Sequence, residues 1–507
     1  MNFARQMVSV GVFALLLGTE GISVGFALDQ ALPADLAFPL PSDTIFGEQQ
    51  YYPDRTDPTG KLMRNQPIFP SESAETTDDK FLTYIQKLSP FGTVIPYYRR
   101  LDTTDTACQY YVTIGAVDSC GGSSTGTLLG ALINPTTFQA WKNEVGIDND
   151  AQHPGNPTHV ARFINQVDLN LTRDHHMVYY GRDRAAAYVC NYKGPFPTAR
   201  DPTGLFPPQD EIDALIKDIK PNSTENVIAC VAMEFSTRGQ RGKPPSPTPF
   251  TKFLIFGPDG ALWSTVDLDG RGPKGVPNVC TACHGGKFDY EDADGHFEPQ
   301  VVTQRPPGDL AAHFLPFDIA NFAFSSDLTT DQQEQAIFKM NQDVYNIERD
   351  RWTIGTNGFV IIDGFGSLSI QKLIAGWYGD DVTPNNIAPH LDRHYIPPRW
   401  DADGIHHDAY FNAYSHSCRT CHVAMDRAAA EEDPTVISGL AKPLVCDQPT
   451  SVSSAATTNE HVMPNAKVTF DRFWLSLDHT VSPPDVADQP LYLAQLFAKP
   501  ACPKPTP

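Results

Sequence analysis

Two short segments of the 507-residue chain repeat one pattern, in which two cysteines are separated by two residues and followed by a histidine. The first segment is 280–284 (CTACH), and the second, 418–422 (CRTCH), begins 138 residues later. Residues three positions apart lie on the same side of one helical turn. Each segment is therefore constrained to present two thiols and an imidazole at one place.

The pattern C-x-x-C-H is the attachment signature of c-type haem. Each thiol forms a thioether with one haem vinyl group, and the histidine binds the iron on the proximal side. We therefore expect two haem c groups, each with its iron. The expected attachment residues are Cys280, Cys283, Cys418 and Cys421, and the expected proximal ligands are His284 and His422.

Two other kinds of site also use paired cysteines. A structural zinc site needs four ligands that lie close together, whereas these two pairs are far apart in the sequence. A redox-active dithiol needs neither the following histidine nor a second copy of the motif. Both alternatives account for less of the pattern than two covalent haems do.

The N-terminal residues predict export. Arg5 precedes the apolar run 8–18 (VSVGVFALLLG), and small residues then lead to an expected cleavage site before Leu28. This is the organisation of a secretory signal peptide over residues 1–27. Because the run is too short for a confident membrane span, we expect the mature chain to be periplasmic or secreted, with no stable membrane span.

Six cysteines lie outside the two motifs, and in an exported chain they predict disulfides. Six cysteines allow 15 connectivities, so the sequence does not determine the pairing. Neighbourhood along the chain favours Cys108–Cys120, Cys190–Cys230 and Cys446–Cys502. Buried free thiols are the alternative for some of them.

Composition limits the remaining possibilities. Hydrophobic residues make up 41% of the chain and charged residues 19%, which excludes a wholly disordered protein. The net charge of −22 repels phosphate backbones, so we expect no nucleic-acid partner. The 36 glycines and 44 prolines predict many turns and argue against a compact helical bundle.

Local patterns predict an α+β fold with two parts. Residues 28–269 form a β-rich α+β domain without a haem motif, and residues 270–507 form a mainly helical, loop-rich di-haem region. The predicted strands are Met177–Tyr192, Asn226–Phe235 and Lys252–Asp267, and the last of them contains a hairpin signal at 256–261 (FGPDGA). The predicted helices in this part are Pro135–Val145, whose N-cap is Asn134, and Asp210–Lys217. The later predicted helices are Thr330–Asn346, Ser367–Tyr378 and Asp408–Ser417. The first of them begins with a capping box of Thr330 and Gln333, and the last leads to the second motif.

With these motifs the chain resembles di-haem c-type cytochromes, specifically exported bacterial proteins with cytochrome c domains. The likeness rests on 279–286 (VCTACHGG) and 417–424 (SCRTCHVA), with weaker support from 314–317 (FLPF) and 376–379 (GWYG). It covers mainly residues 270–480. It implies haem binding and electron transfer with redox partner proteins, and it implies no substrate.

The likeness also suggests a sixth iron ligand for the second haem. In class I cytochromes c, a Met-Pro step between the haem motif and the last helix commonly carries the axial methionine. Here Met463 lies 41 residues after His422 and is followed by Pro464. We therefore expect Met463 to be this ligand, and His461 is the competing residue.

The sixth ligand of the first haem is less constrained. His296 and His313 follow the motif, and Met340 lies on a predicted helix, where a core position is favoured. The candidate from the N-terminal half is His176, which belongs to a His175-His176 pair. If His176 reached the iron, the β-rich domain would cover the haem, and this would explain why both parts share one chain.

Two other functions stay open at the level of sequence. Di-haem cytochrome c peroxidases also carry two such motifs more than a hundred residues apart, but they lack a long N-terminal domain, and their catalytic loop has no match here. A haem protein whose β-rich domain binds a partner or substrate is the other alternative. Electron transfer is favoured over catalysis, and the sequence does not decide whether the chain is an enzyme.

Overall fold

The computed structural model describes most of the chain from residue 104 to residue 424. The gaps are 122–130, 152, 167, 196–206, 221–225, 269–273, 286–305, 352–367 and 383–390, and beyond 424 only Pro434, Gln489, Tyr492 and Leu496 are described. The described residues belong to one compact unit. They combine helices with an antiparallel sheet, so the α+β fold class is confirmed.

The described helices are short, with one exception of 21 residues. In chain order they are α1 (Thr104–Thr113), α2 (Phe138–Val145), α3 (Gln209–Lys217), α4 (Asn278–His284), α5 (Thr330–Asp350), α6 (Leu368–Tyr378), α7 (Gly404–Ala409), α8 (Ser415–Ser417) and α9 (Arg419–His422). A π-helical turn, Tyr410–Tyr414, joins α7 to α8. Short 3-10 turns occupy Ile319–Asn321 and Gly379–Val382.

The described strands form one large sheet and two small ones. They are β1 (Ser119–Gly121), β2 (Ala131–Ile133), β3 (His159–Asn165), β4 (Thr172–Gly181), β5 (Arg184–Tyr192), β6 (Val227–Ser236), β7 (Phe250–Phe256), β8 (Thr265–Val266), β9 (Lys274–Gly275) and β10 (Phe322–Ala323). The large sheet is antiparallel, in the order β10-β3-β4-β5-β6-β7. β1 pairs with β2, and β8 pairs with β9.

The register of the large sheet assigns neighbouring residues to opposite faces, because side chains alternate along a strand. One row across β3 to β7 contains Ala161, His175, Val189, Val231 and Ile255. The adjacent row, on the opposite face, contains Val160, His176, Tyr188, Ala232 and Leu254. We call these two surfaces the His175 face and the His176 face.

Helix α2 covers part of the His176 face with aromatic side chains. The ring centroids of Phe138 and Tyr188 lie 5.1 Å apart, and those of Trp141 and Tyr188 lie 6.4 Å apart, in edge-on arrangements that aromatic pairs favour. The indole N–H of Trp141 donates to Oε2 of the buried Glu234 at 3.1 Å. This side of the sheet is therefore packed against its own helix.

The edge of the sheet at β7 is covered by helix α1. The backbone N–H groups of Phe253 and Ile255 donate to the hydroxyl groups of Tyr110 and Tyr111, at 2.9 and 3.2 Å. An uncovered edge strand leaves such groups without partners and promotes aggregation. The two buried tyrosines therefore close this edge.

Two of the three expected cysteine pairings are present. Cys190 and Cys230 lie directly opposite one another on β5 and β6 and form a disulfide. Cys108 of α1 is joined to Cys120 of β1. The third expected pair, Cys446–Cys502, lies outside the described residues.

One strand prediction needs correction, and one strand was missed. The segment Met177–Tyr192 is a hairpin of β4 and β5 instead of one strand, and β4 already begins at Thr172. Gly181, with a φ of 130°, starts the turn in a conformation that favours glycine. The hairpin signal at 256–261 within Lys252–Asp267 is confirmed, because the N–H of Gly257 donates to the carbonyl of Ala261 at 2.9 Å in a turn between β7 and the short β8. Strand β3 was not predicted at all.

Helix α2 begins later than the sequence predicts. Its N-cap is Thr137, whose hydroxyl accepts a hydrogen bond from the backbone N–H of Ala140 at 3.2 Å. The predicted cap, Asn134, instead has a positive φ of 50° and donates from its side chain to Asp118.

The capping box of α5 lies one residue before the predicted one. Thr329 is the N-cap, and its N–H donates to the side chain of Gln332 at 2.7 Å. Gln333, predicted to belong to the box, is buried against the sheet. The side-chain oxygen of Gln333 accepts a hydrogen bond from the backbone N–H of Arg162 at 2.6 Å. The side-chain NH₂ group of Gln333 donates to the backbone carbonyl of Arg162 at 2.8 Å. This contact holds α5 on β3.

One hydrophobic core includes residues from both predicted parts of the chain. Phe253 and Leu254 of β7 belong to the same buried cluster as Ile337 and Val344 of α5 and Trp377 of α6. The predicted boundary at residues 269 and 270 falls within an undescribed segment, so the two-domain division stays a prediction. Among the described helices, none combines the length and apolar character needed to cross a bilayer.

Candidate haem site

The first motif forms helix α4 and ends with the imidazole of His284. Cys280 and Cys283 are three positions apart, so one helical turn places both thiols on one side. Cys280 is buried, whereas Cys283 and His284 are half-buried. All three line a single cavity, which we call the motif cavity.

The motif cavity contains about 1240 Å³ of empty space, including the part that is open to solvent. One wall is the His175 face of the sheet, and its lining residues there include Met177, Val189, Val231, Met233 and Ile255. The other walls are α4, residues 314–318 and the second motif. The space is therefore mainly apolar, as cofactor sites usually are.

The orientation of His284 is determined by a hydrogen bond to the backbone. Its Nδ1 lies 2.8 Å from the carbonyl oxygen of His313. Since a carbonyl only accepts, Nδ1 carries the proton and Nε2 keeps its lone pair. Burial lowers the pKa of His284 to about 4. The hydrogen bond to the backbone of His313 opposes this shift, and the charge of Arg173 adds to it. The imidazole is therefore neutral and in the tautomer that binds a metal through Nε2.

His313 supports the first motif from behind. Its backbone N–H donates to the carbonyl of His284 at 2.9 Å, and its Nδ1 lies 2.8 Å from a carboxylate oxygen of Glu348. Arg351 donates to the neighbouring carbonyl of Ala312 at 2.9 Å. Both of these partners belong to α5 or follow it directly. His313, one of the ligands that the sequence offered, is thus a buried supporting residue and is not part of the cavity lining.

His175 lines the motif cavity from strand β4. Its ring and that of Phe317 are nearly perpendicular, with centroids 4.7 Å apart. Its Nε2 atom is buried and has no hydrogen-bond partner among the described residues. Burial, with a further contribution from Arg173, lowers the pKa of His175 to about 3, so this imidazole is neutral as well.

His176, the residue that the sequence favoured as a ligand, lies on the other face. Its Nδ1 is 2.7 Å from Asp148, its Nε2 is 3.4 Å from Asp174, and its ring stacks on Tyr188 at 4.4 Å. Burial lowers the pKa of His176, but hydrogen bonds to the two carboxylates outweigh it and raise the pKa overall. His176 does not line the motif cavity. The sequence identified the histidine pair but not which member faces the motif.

Arg173 lies on the same face as His175 and also lines the cavity. One of its terminal nitrogens donates to Asp168 at 2.8 Å. Its Nε–H is buried and has no acceptor among the described residues. The wall thus presents a neutral imidazole and a guanidinium two positions apart on one strand.

The second motif follows the continuous helical segment from α7 through the π-helical turn to α8. Cys418 packs against a buried aromatic cluster that contains Trp400, Tyr410 and Tyr414. The ring centroid of His422 lies 6.4 Å from that of Tyr414, and burial lowers the pKa of His422 to about 4. The expected helix at Asp408–Ser417 does lead into this motif, although its backbone includes a π-helical turn.

Arg419, inside the second motif, is held by a buried ion pair. Its Nε donates to Asp318 at 3.0 Å, and a terminal nitrogen contacts the same carboxylate oxygen. Another terminal nitrogen donates to the hydroxyl of Tyr410 at 3.1 Å, and the guanidinium lies 5.4 Å from the ring centroid of Trp377. These contacts fix the second motif against the segment that lines the motif cavity.

The two motifs meet in the folded chain. The thiol of Cys421 is hydrogen-bonded to Cys283, and this contact, reinforced by burial, raises the pKa of Cys421 well above its ordinary value. None of the four motif cysteines forms a disulfide, whereas the four other described cysteines are paired. Two segments 138 residues apart in sequence therefore share one site.

Of the other candidate ligands, the structure describes Met340. Met340 is completely buried in the core beside Ile337 and Val344 and does not line the motif cavity. Met463, His461 and His296 lie outside the described residues. Within the described part of the chain, no three His, Cys, Asp or Glu side chains converge as a site for a bare metal ion.

No protein-family model, curated protein or solved structure matches the chain.

The buried ion pair of the second motif gives a stability prediction. Asp318→Asn leaves the Arg419 charge buried without a counter-ion, and removing one partner of such a pair costs about 3 kcal/mol or more. We expect that loss in the free energy of unfolding, measured by urea denaturation followed by circular dichroism. The control Asp327→Asn, at an exposed position, should change the free energy by less than about 0.5 kcal/mol. Equal stability of the two variants would contradict the importance of this pair.

Proposed function

We propose that this chain is an exported di-haem c-type cytochrome that transfers electrons through two covalently bound haem c groups. The observation that supports this most strongly is the convergence of both C-x-x-C-H segments at one apolar cavity. Cys280, Cys283 and His284 of the first segment and Arg419 and Thr420 of the second line this cavity. All four motif cysteines are thiols, and His284 has the tautomer that leaves Nε2 available.

The residues present fit the proposed groups. Cys280 and Cys283 would attach the first haem, with His284 as its proximal ligand. Cys418 and Cys421 would attach the second, with His422 as its proximal ligand. When bound, haem iron supplies one-electron chemistry by alternating between its ferric and ferrous states.

The protein's own contribution is to position ligands and control their surroundings. The carbonyl of His313 orients His284, as outer hydrogen bonds commonly orient metal-binding histidines. The apolar wall of the sheet limits access of water, and burial of this kind tunes a redox potential. Because Cys283 contacts Cys421, the two attachment sites are neighbours, and this arrangement suits transfer between the two groups and onward to redox partner proteins.

This proposal also gives the two predicted parts of the chain different roles. The β-rich part, 28–269, would supply the wall that covers the first haem. The mainly helical, loop-rich part, 270–507, would carry both attachment motifs. The shared core of β7, α5 and α6 supports such a division of labour within one compact unit.

Covalent attachment is tested by removing thiols. Replacing Cys280 and Cys283 with Ala, or Cys418 and Cys421 with Ala, should each remove one of two haems from the denatured chain, because thioethers survive denaturation. A pyridine haemochrome assay counts the remaining groups. The matched double variant of Cys108 and Cys120, which removes only a disulfide, should keep two haems. A wild-type protein with no covalent haem would overturn the proposed function.

Export is tested by the N-terminus of the haem-loaded protein. If residues 1–27 are a signal peptide, as the apolar run predicts, N-terminal sequencing of periplasmic or secreted protein should begin at or near Leu28. Recovery of Met1 on haem-loaded protein would contradict export through this signal.

We further propose Met463 as the sixth ligand of the second haem. A thioether ligand raises the potential of haem iron compared with a second imidazole. Met463→His should therefore keep both haems attached, remove the far-red absorption that sulfur coordination gives to ferric haem, and lower one reduction potential. Met463→Ala should leave an open position that binds small ligands. Survival of the far-red band in Met463→Ala would assign the ligand to another methionine.

A further inference from the structure

We propose that His175 of strand β4 is the sixth ligand of the first haem iron, and that Arg173, on the same face, pairs with a propionate of that haem. This inference rests on the proposed function and specifies which part of the N-terminal half completes the site. It replaces His176 by its neighbour, for reasons of register.

Side chains alternate between the two faces of the sheet along β4. Only one of two consecutive residues can reach a given side of a sheet. His175 lines the motif cavity, whereas His176 is held on the other face by Asp148 and Asp174. Asp148 and Asp174 therefore hold the imidazole of His176 away from the cavity, whereas the imidazole of His175 borders it.

His175 presents a buried polar atom to the cavity wall. A buried nitrogen without a hydrogen-bond partner destabilises the folded state, and Nε2 of His175 has no partner among the described residues. Bonding to iron would satisfy it. Met177 and Met233 also line the cavity, but a thioether fits an apolar wall without any partner. Of these three side chains, only His175 has a buried polar atom that lacks a hydrogen-bond partner among the described residues.

The two imidazoles line the cavity from different places along the sheet. His284 packs on Phe253 of β7, with ring centroids 5.2 Å apart, whereas His175 lies on β4. These strands are three spacings apart, or about 14 Å. Between them, in the same row as His175, Val189 and Val231 line the cavity with short side chains. His175 and His284 therefore border the same apolar cavity, and no bulky side chain of this row stands between their two strands.

Arg173 accounts for a second unsatisfied group in the same wall. It is two residues from His175, its Nε–H is buried without an acceptor among the described residues, and Asp168 binds only another nitrogen of the guanidinium. A guanidinium binds carboxylates through two parallel hydrogen bonds. A haem bound in this apolar cavity would bring its propionate carboxylates with it, and Arg173 would pair with one of them.

The test uses full-length protein carrying both haems. In the wild type, electron paramagnetic resonance of the ferric protein should show two low-spin haems. His175→Ala should keep two covalent haems by the pyridine haemochrome assay, convert one to high spin, and let the ferrous protein bind about one additional carbon monoxide per chain. Added imidazole should restore the low-spin signal. The control His176→Gln should retain the wild-type spectrum.

A second pair of variants keeps the proposal testable if His175→Ala does not fold. His175→Met offers a different ligand of similar size and should raise the potential of one haem. Arg173→Gln should lower the potential of that same haem, because it removes a positive charge that favours the reduced state, and Arg173→Lys should largely retain it.

The possible failures are distinguishable. A wild type without covalent haem overturns the proposed function itself. Two covalent haems that both stay low-spin in His175→Ala, or unchanged potentials in His175→Met, overturn only the assignment of His175 and favour Met177 or Met233. A high-spin first haem in the wild type also overturns it and favours an open, peroxidase-type site.

Discussion

The hydrogen bond from Nδ1 of His284 to the carbonyl of His313 is the interaction on which the candidate site depends. It selects the tautomer, orients the ring and leaves Nε2 available. The carbonyl is itself held in place by α5, because Glu348 binds the His313 side chain and Arg351 binds the preceding carbonyl. A helix more than thirty residues away in the sequence therefore determines what the last residue of the first motif can do.

The segment 314–321 connects this interaction to the rest of the site. Phe317 contacts the ring of His175, Asp318 binds Arg419 of the second motif, and the side-chain amide of Asn321 donates to the carbonyl of Ser415. The backbone of Phe317 is in turn held by both amide atoms of Asn341. Eight consecutive residues thus contact the sheet, the long helix and the second motif, and they hold the two motifs in a defined relation.

The sheet separates two chemically different environments. On one face, Asp148 and Asp174 surround His176 and stabilise its protonated form. On the other, apolar side chains surround His175, and burial favours its neutral form. Two adjacent histidines therefore have opposite charge preferences, because a carboxylate favours the imidazolium whereas desolvation disfavours it. The cavity side of the strand therefore presents a neutral imidazole, whereas the opposite side favours the charged form of its histidine.

The sequence by itself determined that each motif presents two thiols and an imidazole within five residues, and it located helices such as α3 and α6 to within one residue at their ends. These features depend on neighbours in the chain. Only the tertiary structure decided that His175 faces the cavity, that His313 supplies the partner of His284, and that Cys283 meets Cys421. Each of these depends on strand register or on contacts between distant segments. Local patterns of hydrophobicity do not encode such contacts, because a shift of one residue in register exchanges the two faces of a strand.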